Sequence, residues 1–435
     1  MMRPLVNIDY LLLGMVAPWL HPGTIALAFG FIFFNDFFLN LLPIYHFQLT
    51  DFLSSYGALK YTHYSALHWK ITKMALPIFA SVPLVYWLEK NPNRQRIATV
   101  GLLSGILVFV CLLDIANGTS YIPIRSSASF LDFNVANSGF RKTFYTSKET
   151  LFRKKSDFNR LNPDEYATGQ LHHVYPKRLV IVIVESMGYF LKPELKEQLF
   201  EPLEKLKFNN NYSMTIGSVP FDGMTRDGEL RELCGIRMWN FGNEIPDCLP
   251  KILSQKGYET ISYHGFTNQF FNRYQWYPIV GFKHSFFAEE FQALGLRSCG
   301  SGFRGICDSD IAKLIRQELL RPGDNPKLLY WMTLNSHVPV EKESAIESNY
   351  DCKRNKFTAN DSTLCIHTSI IHLVLSKITE IINDPKLPPT TFLIVGDHSP
   401  PFMIPERRIL YSNKLVPFVY VSPKSNSHQS LAKAN

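Results

Sequence analysis

The sequence predicts an α/β protein in two parts: N-terminal transmembrane helices, followed by an extracytoplasmic α/β/α sandwich built on a mostly parallel sheet. Three observations predict it. Residues 1–116 of the 435 carry only seven Lys/Arg and five Asp/Glu, two apolar strand-like runs at 179–184 and 391–395 stop at carboxylates, and six of the seven cysteines lie beyond residue 116. With 46% hydrophobic and 14% aromatic residues, the chain has material for a sizeable core, which excludes disordered, collagen-like and small disulfide-scaffold classes. A net charge of +8 on this length is too mild to signal nucleic-acid binding, and no basic stripe with interleaved aromatics is present. No nucleic-acid partner is expected.

The membrane part comes first. Ile97 to Ile115 (IATVGLLSGILVFVCLLDI) is 19 residues with a single acid near its end, close to the ~20 residues with which a helix crosses a bilayer. Ile71 to Leu88 is nearly as long; it holds Lys73 near one end and Pro77 and Pro83 inside, which membrane helices tolerate when neighbours satisfy the backbone. From Leu11 to Phe47 the chain is apolar but broken at His21-Pro22-Gly23 and Asn35-Asp36. That stretch fits one span at about 24–46 after an interfacial segment, or two spans, so residues 1–116 hold three or four helices. Asp36 is costly if it lies at mid-membrane and ordinary if it lies at the interface.

Orientation follows from the short loop Glu89 to Arg96, which holds three cations in eight residues and is therefore cytoplasmic by the positive-inside rule. The Ile97–Ile115 span then leads out of the cytoplasm. No cleavable signal is apparent, so the first spans serve as the anchor. Residues 117–176, of mixed polarity with Arg141, Lys142, Lys148, Arg153, Lys154 and Lys155, form a juxtamembrane connector, and residues 177–435 the exported domain. Beyond the last span lie Cys234, Cys248, Cys299, Cys307, Cys352 and Cys365. An even number in an exported part suggests disulfides. Their local clustering, with separations of 14, 8 and 13 positions, favours Cys234–Cys248, Cys299–Cys307 and Cys352–Cys365. No CxxC-type spacing for zinc is present.

In the exported part, LVIVIV at 179–184 is a continuous β-branched run typical of a strand buried on both faces, and it ends in Glu185-Ser186-Met187-Gly188. TFLIV at 391–395 runs into Gly396-Asp397-His398. In open α/β sheets the ligand site lies beyond the carboxyl ends of the strands, so Glu185, Asp397 and His398 can converge across 212 residues. Two carboxylates and an imidazole suit Zn²⁺ or Mn²⁺. Between them Thr225 opens the helical stretch GELRELCG after a Gly-containing turn. A Thr there is either an N-cap or a nucleophile, and the ligand set elsewhere in the domain favours the nucleophile. A cation would lower the hydroxyl pKa, and a helix N-terminus favours a phosphate.

These residues carry a resemblance. VESMG, a Thr in a turn 40 residues later, YHG at 263–265, FFNR at 270–273, LLYWMTLNSHVP with His337, and GDHSPP occur in this order. The set resembles the alkaline phosphatase/sulfatase superfamily over residues 177–420, and most closely its membrane-anchored branch of lipoteichoic acid synthases and phosphoethanolamine transferases. The resemblance implies Glu185, Asp397 and His398 as ligands of a divalent metal, Zn²⁺ or Mn²⁺, and admits a second metal. It implies Thr225 as both metal ligand and nucleophile, taking a phospho-headgroup from a phospholipid donor and passing it to an envelope glycan or lipid. His337 matches a histidine that touches the transferred phosphate or protonates the leaving alcohol, and Arg273 matches a headgroup or phosphate contact. His264 and Asp308 sit in matching loops and either line the site or serve as a loop histidine and a cap.

The resemblance also implies a bacterial inner-membrane protein with a periplasmic catalytic domain. The order YHG, FFNR, YPIVGF leans to phosphoglycerol transfer; the cysteine pairs lean to phosphoethanolamine transfer in an oxidising periplasm. His367 stands where those relatives often place an aromatic or acidic residue. The Cys-x-Pro-x-Arg motif that generates formylglycine is missing, which argues against sulfatase activity itself. The alternative is a hydrolase of phosphodiesters or phosphomonoesters, in which water replaces the acceptor.

Overall fold

The computed structural model describes residues 6–41, 82–83, 86, 136–137, 160–171, 175–204, 206, 211–237, 247–300 and 302–424. Contacts divide the chain into two units, one of residues 1–50 and 67–154 and one of residues 51–66 and 155–435.

In the first unit, helix α1 (Ile8–Val16) and a short 3-10 turn lead to helix α2 (Pro22–Leu41), which begins at the Pro22-Gly23 break. Leu13, Ala17 and Ile25 form a small buried cluster there. Helix α2 has 20 residues and covers most of the stretch expected to span at 24–46. The run 97–115 lies outside the described residues, and so does 71–88 apart from Val82, Pro83 and Tyr86.

The second unit is organised by a seven-stranded sheet. Its strands are β1 (Arg178–Val184), β2 (Tyr212–Pro220), β3 (Glu259–His264), β4 (His284–Phe286), β5 (Lys327–Met332), β6 (Thr391–Gly396) and β7 (Leu415–Pro423). The order is β2-β7-β6-β1-β5-β3-β4. Strands β6, β1, β5, β3 and β4 pair in parallel, while β7 runs antiparallel to both β6 and β2.

The β-branched run of β1 is buried on both faces because the sheet is covered on both. Val180, Val182 and Val184 enter one core with helices α3 (Pro193–Glu204), α6 (Asp308–Leu320) and α7 (Ser362–Ile382). Leu179, Ile181 and Ile183 enter the other with α4 (Thr225–Cys234) and α5 (Arg273–Val280). This period-2 division makes an α/β/α sandwich. Among the described residues α7 alone is long and apolar enough to cross a membrane, but 72% of its apolar window is buried. It is a core helix, started by Asp361, whose side chain accepts the Leu364 N–H at 3.0 Å.

Three disulfides join Cys234 to Cys248, Cys299 to Cys307 and Cys352 to Cys365. These are the sequence neighbours expected to pair.

Candidate active site

The site is assembled where β1, β5 and β6 end. The Glu185 N–H, one residue past β1, donates to Thr333 Oγ1 just past β5 (2.9 Å), and Ser336 Oγ donates to the Glu185 carbonyl. Ser186 follows in the left-handed region at φ 55°, which is strained for a residue with a Cβ. Its N–H donates to Asp397 Oδ1 (2.7 Å) and its hydroxyl to Glu185 Oε1 (2.8 Å), so the turn links the first carboxylate to the second.

Asp397 Oδ1 also accepts the His398 N–H at 2.7 Å, whereas the buried Oδ2 has no hydrogen-bond partner. His398 Nδ1 lies 2.9 Å from the Ser399 carbonyl, which can only accept, so the ring proton sits on Nδ1 and Nε2 presents its lone pair. That nitrogen lies 3.3 Å from Asp397 Oδ2, 3.6 Å from Glu185 Oε1 and 3.3 Å from Thr225 Oγ1. Lone pairs facing one another at this range repel unless a cation lies between them. The separations match the edges of a coordination shell with bonds of about 2.0–2.2 Å. One ligand atom from each of Glu185, Asp397 and His398 lies within 4.8 Å of the other two. The donor set of Glu185, Asp397 and His398 fits a divalent cation, and the Thr225 hydroxyl lies beside it.

Burial sets the electrostatics. Glu185 is 2% and Asp397 1% exposed. Burial raises the Glu185 pKa to about 6 against hydrogen bonds that lower it, and burial together with the neighbouring Glu185 charge raises Asp397 to about 8. Both carboxylates are costly as anions until a positive charge joins them.

Thr225 is the first residue of α4, preceded by Gly223 at φ +80°. Its hydroxyl donates to Glu185 Oε2 at 3.0 Å. Three other residues of the same helix fix this placement. A Cβ on Gly228 would meet Asp397 Cβ at 2.8 Å and Asp397 Cα at 3.0 Å, so only glycine lets α4 approach the β6 end this closely. Arg231 donates to the Gly396 and Asp397 carbonyls at 2.6 and 3.0 Å, and its Nε to Glu232 at 2.7 Å. Glu229, fully buried, accepts from Arg273 Nη2 (2.8 Å), from Tyr330 OH (2.9 Å) and from Tyr277 OH. Sequence reasoning missed all three; the signal was an Arg and two Glu interleaved with Leu230 and Leu233 in a short helix that ends at a cysteine.

Arg273, which the resemblance implies as a headgroup or phosphate contact, has its guanidinium engaged within the protein. It is 1% exposed, its Nε and Nη2 serve Glu229, and its Nη1 lies 3.2 Å from His264 Nε2. It nonetheless lowers the Glu185 pKa through its charge. His264 is buried, bonds the Met332 carbonyl through Nδ1 (3.0 Å), and is kept neutral by burial and by Arg273. Asp308, the first residue of α6, reaches a distant turn and does not cap its own helix: it accepts the Leu334 and Asn335 N–H groups at 3.1 and 2.8 Å, and its own N–H donates to Asn335 Oδ1. It thereby shapes the turn that carries His337. Half-buried His337 donates from Nδ1 to the Val338 carbonyl (2.8 Å), packs against the Phe303 ring at 4.1 Å with the planes tilted by 52°, and has its pKa lowered to about 4 by burial. His367 is fully buried on α7 against Phe402 and Tyr411 and is lowered to about 3, mainly by burial and then by the charges of His398 and His337.

A mostly parallel sheet covered on both faces, with carboxylates, a hydroxyl and an imidazole beyond its central strands, defines a domain of the alkaline phosphatase/sulfatase superfamily. Residues 179–435 match the family described as Sulfatase, and the chain belongs to that family. Solved structures similar to it include the lipoteichoic acid synthase LtaP from Listeria monocytogenes (16% identity, 61% of this chain and 69% of that one, TM-score 0.41). The phosphoglycerol transferase GacH from Streptococcus pyogenes, in complex with sn-glycerol-1-phosphate, is similar at 15% identity over 64% of this chain and 73% of that one, TM-score 0.40. The integral membrane phosphoethanolamine transferase EptA from Neisseria meningitidis is similar at 14% identity over 82% and 68%, TM-score 0.44. TM-scores this low carry no weight for activity. No curated protein matches the chain.

Proposed function

We propose that the protein is a metal-dependent transferase that moves a phosphoglycerol or phosphoethanolamine headgroup from a phospholipid, through a covalent phosphothreonine at Thr225, to an envelope glycan or lipid. The observation that carries this reading is the Thr225 hydroxyl, 3.0 Å from Glu185 Oε2 and 3.3 Å from His398 Nε2, at the N-terminus of a ten-residue helix. In the same reading residues 1–116 form three or four spans in a bacterial inner membrane, 117–176 the connector and 177–435 the periplasmic catalytic domain. The apolar composition of 1–116 and the cationic loop 89–96 support it. An anchored site lies next to its lipid donor.

A bound Zn²⁺ or Mn²⁺ supplies charge neutralisation and a lowered hydroxyl pKa. Glu185, already accepting the Thr225 hydrogen bond, is the nearest base for the hydroxyl proton. Thr225 Oγ1 forms a bond to phosphorus, the bond from phosphorus to the diacylglycerol oxygen breaks, and that oxygen takes up a proton. His337, neutral and with Nε2 as its lone-pair nitrogen, must accept a proton before it delivers one there. An acceptor hydroxyl then gives its proton to neutral His337 and attacks phosphorus, the phosphorus–Oγ1 bond breaks, and Thr225 takes back the proton held by Glu185. The N–H groups at the start of α4 favour the phosphate anion throughout.

Intact mass of the native protein and of Thr225→Ala, after exposure to mixed bacterial phospholipids and a divalent metal, tests the reading. The expected outcome is a Thr225-dependent adduct whose mass distinguishes the two headgroups. Metal-dependent release of free headgroup with no adduct and no acceptor product would favour a hydrolase instead.

A further inference from the structure

Residues 160–171, which precede the first strand of the sheet, belong to the second unit and pack against the carboxyl end of α4. They form two short 3-10 turns, Pro163–Glu165 and Thr168–Leu171. The Leu161 N–H donates to the Gly235 carbonyl at 2.8 Å, Arg160 pairs with Ile236 in an isolated β-bridge, and Arg237 donates to Glu165 at 2.8 Å. Gly235 ends α4 at φ 61°, and a Cβ on it would meet the Tyr166 ring at 2.9 Å. Glu232 stands in the last turn of α4, where carbonyls have no partner within the helix. Its carbonyl accepts from Thr168 Oγ1 at 2.6 Å.

The Glu232 side chain carries that contact onward. Its Oε2 accepts the Thr168 N–H at 2.9 Å, and its Oε1 accepts Arg231 Nε at 2.7 Å. Arg231 in turn donates to the Asp397 carbonyl. Three hydrogen bonds thus lead from Thr168 to the backbone of Asp397, through side chains that are all buried. A guanidinium is planar, so fixing Nε also fixes the direction in which the two Nη groups point. Without Glu232 the guanidinium could turn about its stem and leave the Gly396 and Asp397 carbonyls. Charge-assisted bonds in buried surroundings are the strong ones, which suits this carboxylate to hold the arrangement.

We propose that Glu232 is a positioning residue of the metal site, carrying the docking of residues 160–171 to Asp397 through Arg231. The proposal rests on the site of Glu185, Asp397, His398 and Thr225 described above. In the transferase reading it makes the end of the membrane connector part of what holds that site in shape.

The test is a titration of the full chain in detergent, stripped by chelator, with Zn²⁺ and with Mn²⁺, alongside its unfolding midpoint. Thr168→Val removes one buried hydrogen bond at a residue that touches neither the metal-ligand side chains nor Thr225. It should weaken metal binding about five-fold, as the loss of one net hydrogen bond does, and Thr168→Ser, which restores the hydroxyl, should bind like wild type. Glu232→Gln turns an amide N–H towards a donor and should weaken binding about ten-fold; Thr168→Val decides where that variant fails to fold. As a control, Ile381→Val trims the core on the opposite face of the sheet; it should lower the midpoint and leave metal affinity unchanged. A lowered midpoint with wild-type metal affinity in Thr168→Val would make the contact structural only and overturn the proposal, as would an equal loss of affinity in Ile381→Val. A wild-type chain that binds neither metal would instead overturn the site on which the proposal rests.

Discussion

Arg231 donates through Nη1 to the carbonyl of Asp397 at 3.0 Å and through Nη2 to that of Gly396 at 2.6 Å. The helix that begins at Thr225 is thereby fastened to the turn that carries Asp397 and His398. One guanidinium, six residues along the helix from Thr225, holds the proposed nucleophile against the proposed metal site.

Thr225→Ala removes one hydroxyl from an otherwise complete ligand set. Turnover is expected to fall more than about 10³-fold, as for other nucleophile removals, while metal content and the unfolding midpoint stay close to wild type. Steady-state headgroup transfer with parallel metal analysis checks this. Retained turnover would sink the covalent mechanism.

Asp397→Asn and His398→Ala act differently, because each deletes a ligand whose lone pair faces the shared centre. Metal stoichiometry and turnover should be lost together, with the far-UV spectrum unchanged. Inductively coupled plasma mass spectrometry on the purified variants separates this from loss of the nucleophile alone.

Glu229→Gln tests the buried network behind the nucleophile. The Arg273 and Glu229 side chains are 1% and 0% exposed, and breaking a buried pair from one side costs about 3–5 kcal/mol because a charge is left uncompensated. Denaturant unfolding should show that loss, and the double replacement Glu229→Leu/Arg273→Met should cost less than the sum of its single changes. An additive result would mean that the two side chains do not act as a pair.

The pH dependence follows from the raised carboxylates. Glu185 at about 6 and Asp397 at about 8 titrate above the ordinary carboxylate range, so the folded protein binds more protons than the unfolded chain between about pH 4 and pH 8. Their contribution to stability is fully present below that range and is lost as pH rises through 6 and 8. A divalent cation competes with those same protons, so its affinity rises over the same interval. The melting-temperature gap between chelator-treated and metal-loaded protein should widen from about pH 5 to about pH 8. A gap that narrows would show that the two carboxylates do not bind the metal.

Several features were legible because they are local. A β-branched run that stops at a carboxylate, as at Val184-Glu185 and Gly396-Asp397, states both a buried strand and the chemistry at its end. Gly223 before Thr225 marks a turn into a helix, and cysteines 8 to 14 positions apart find each other over short loops. Other features were not legible. The bonds of Arg273 to Glu229 and His264 join residues 44 and 9 positions apart, and no local pattern announces them. Helix α7 has the length and composition of a membrane span, and only its burial against the sheet identifies it as core.

The sequence by itself determined the two strands at 179–184 and 391–395, the residue types at their carboxyl ends and the helix start at Thr225, because these depend on side-chain period and on neighbours a few positions away. The tertiary structure decided that Gly228 must be glycine, that Arg231 grips Asp397, that Asp308 caps a turn and that Glu229 is neutralised by Arg273. A buried polar group has to pair, and its partner is whichever group the packing of distant elements brings within 3 Å.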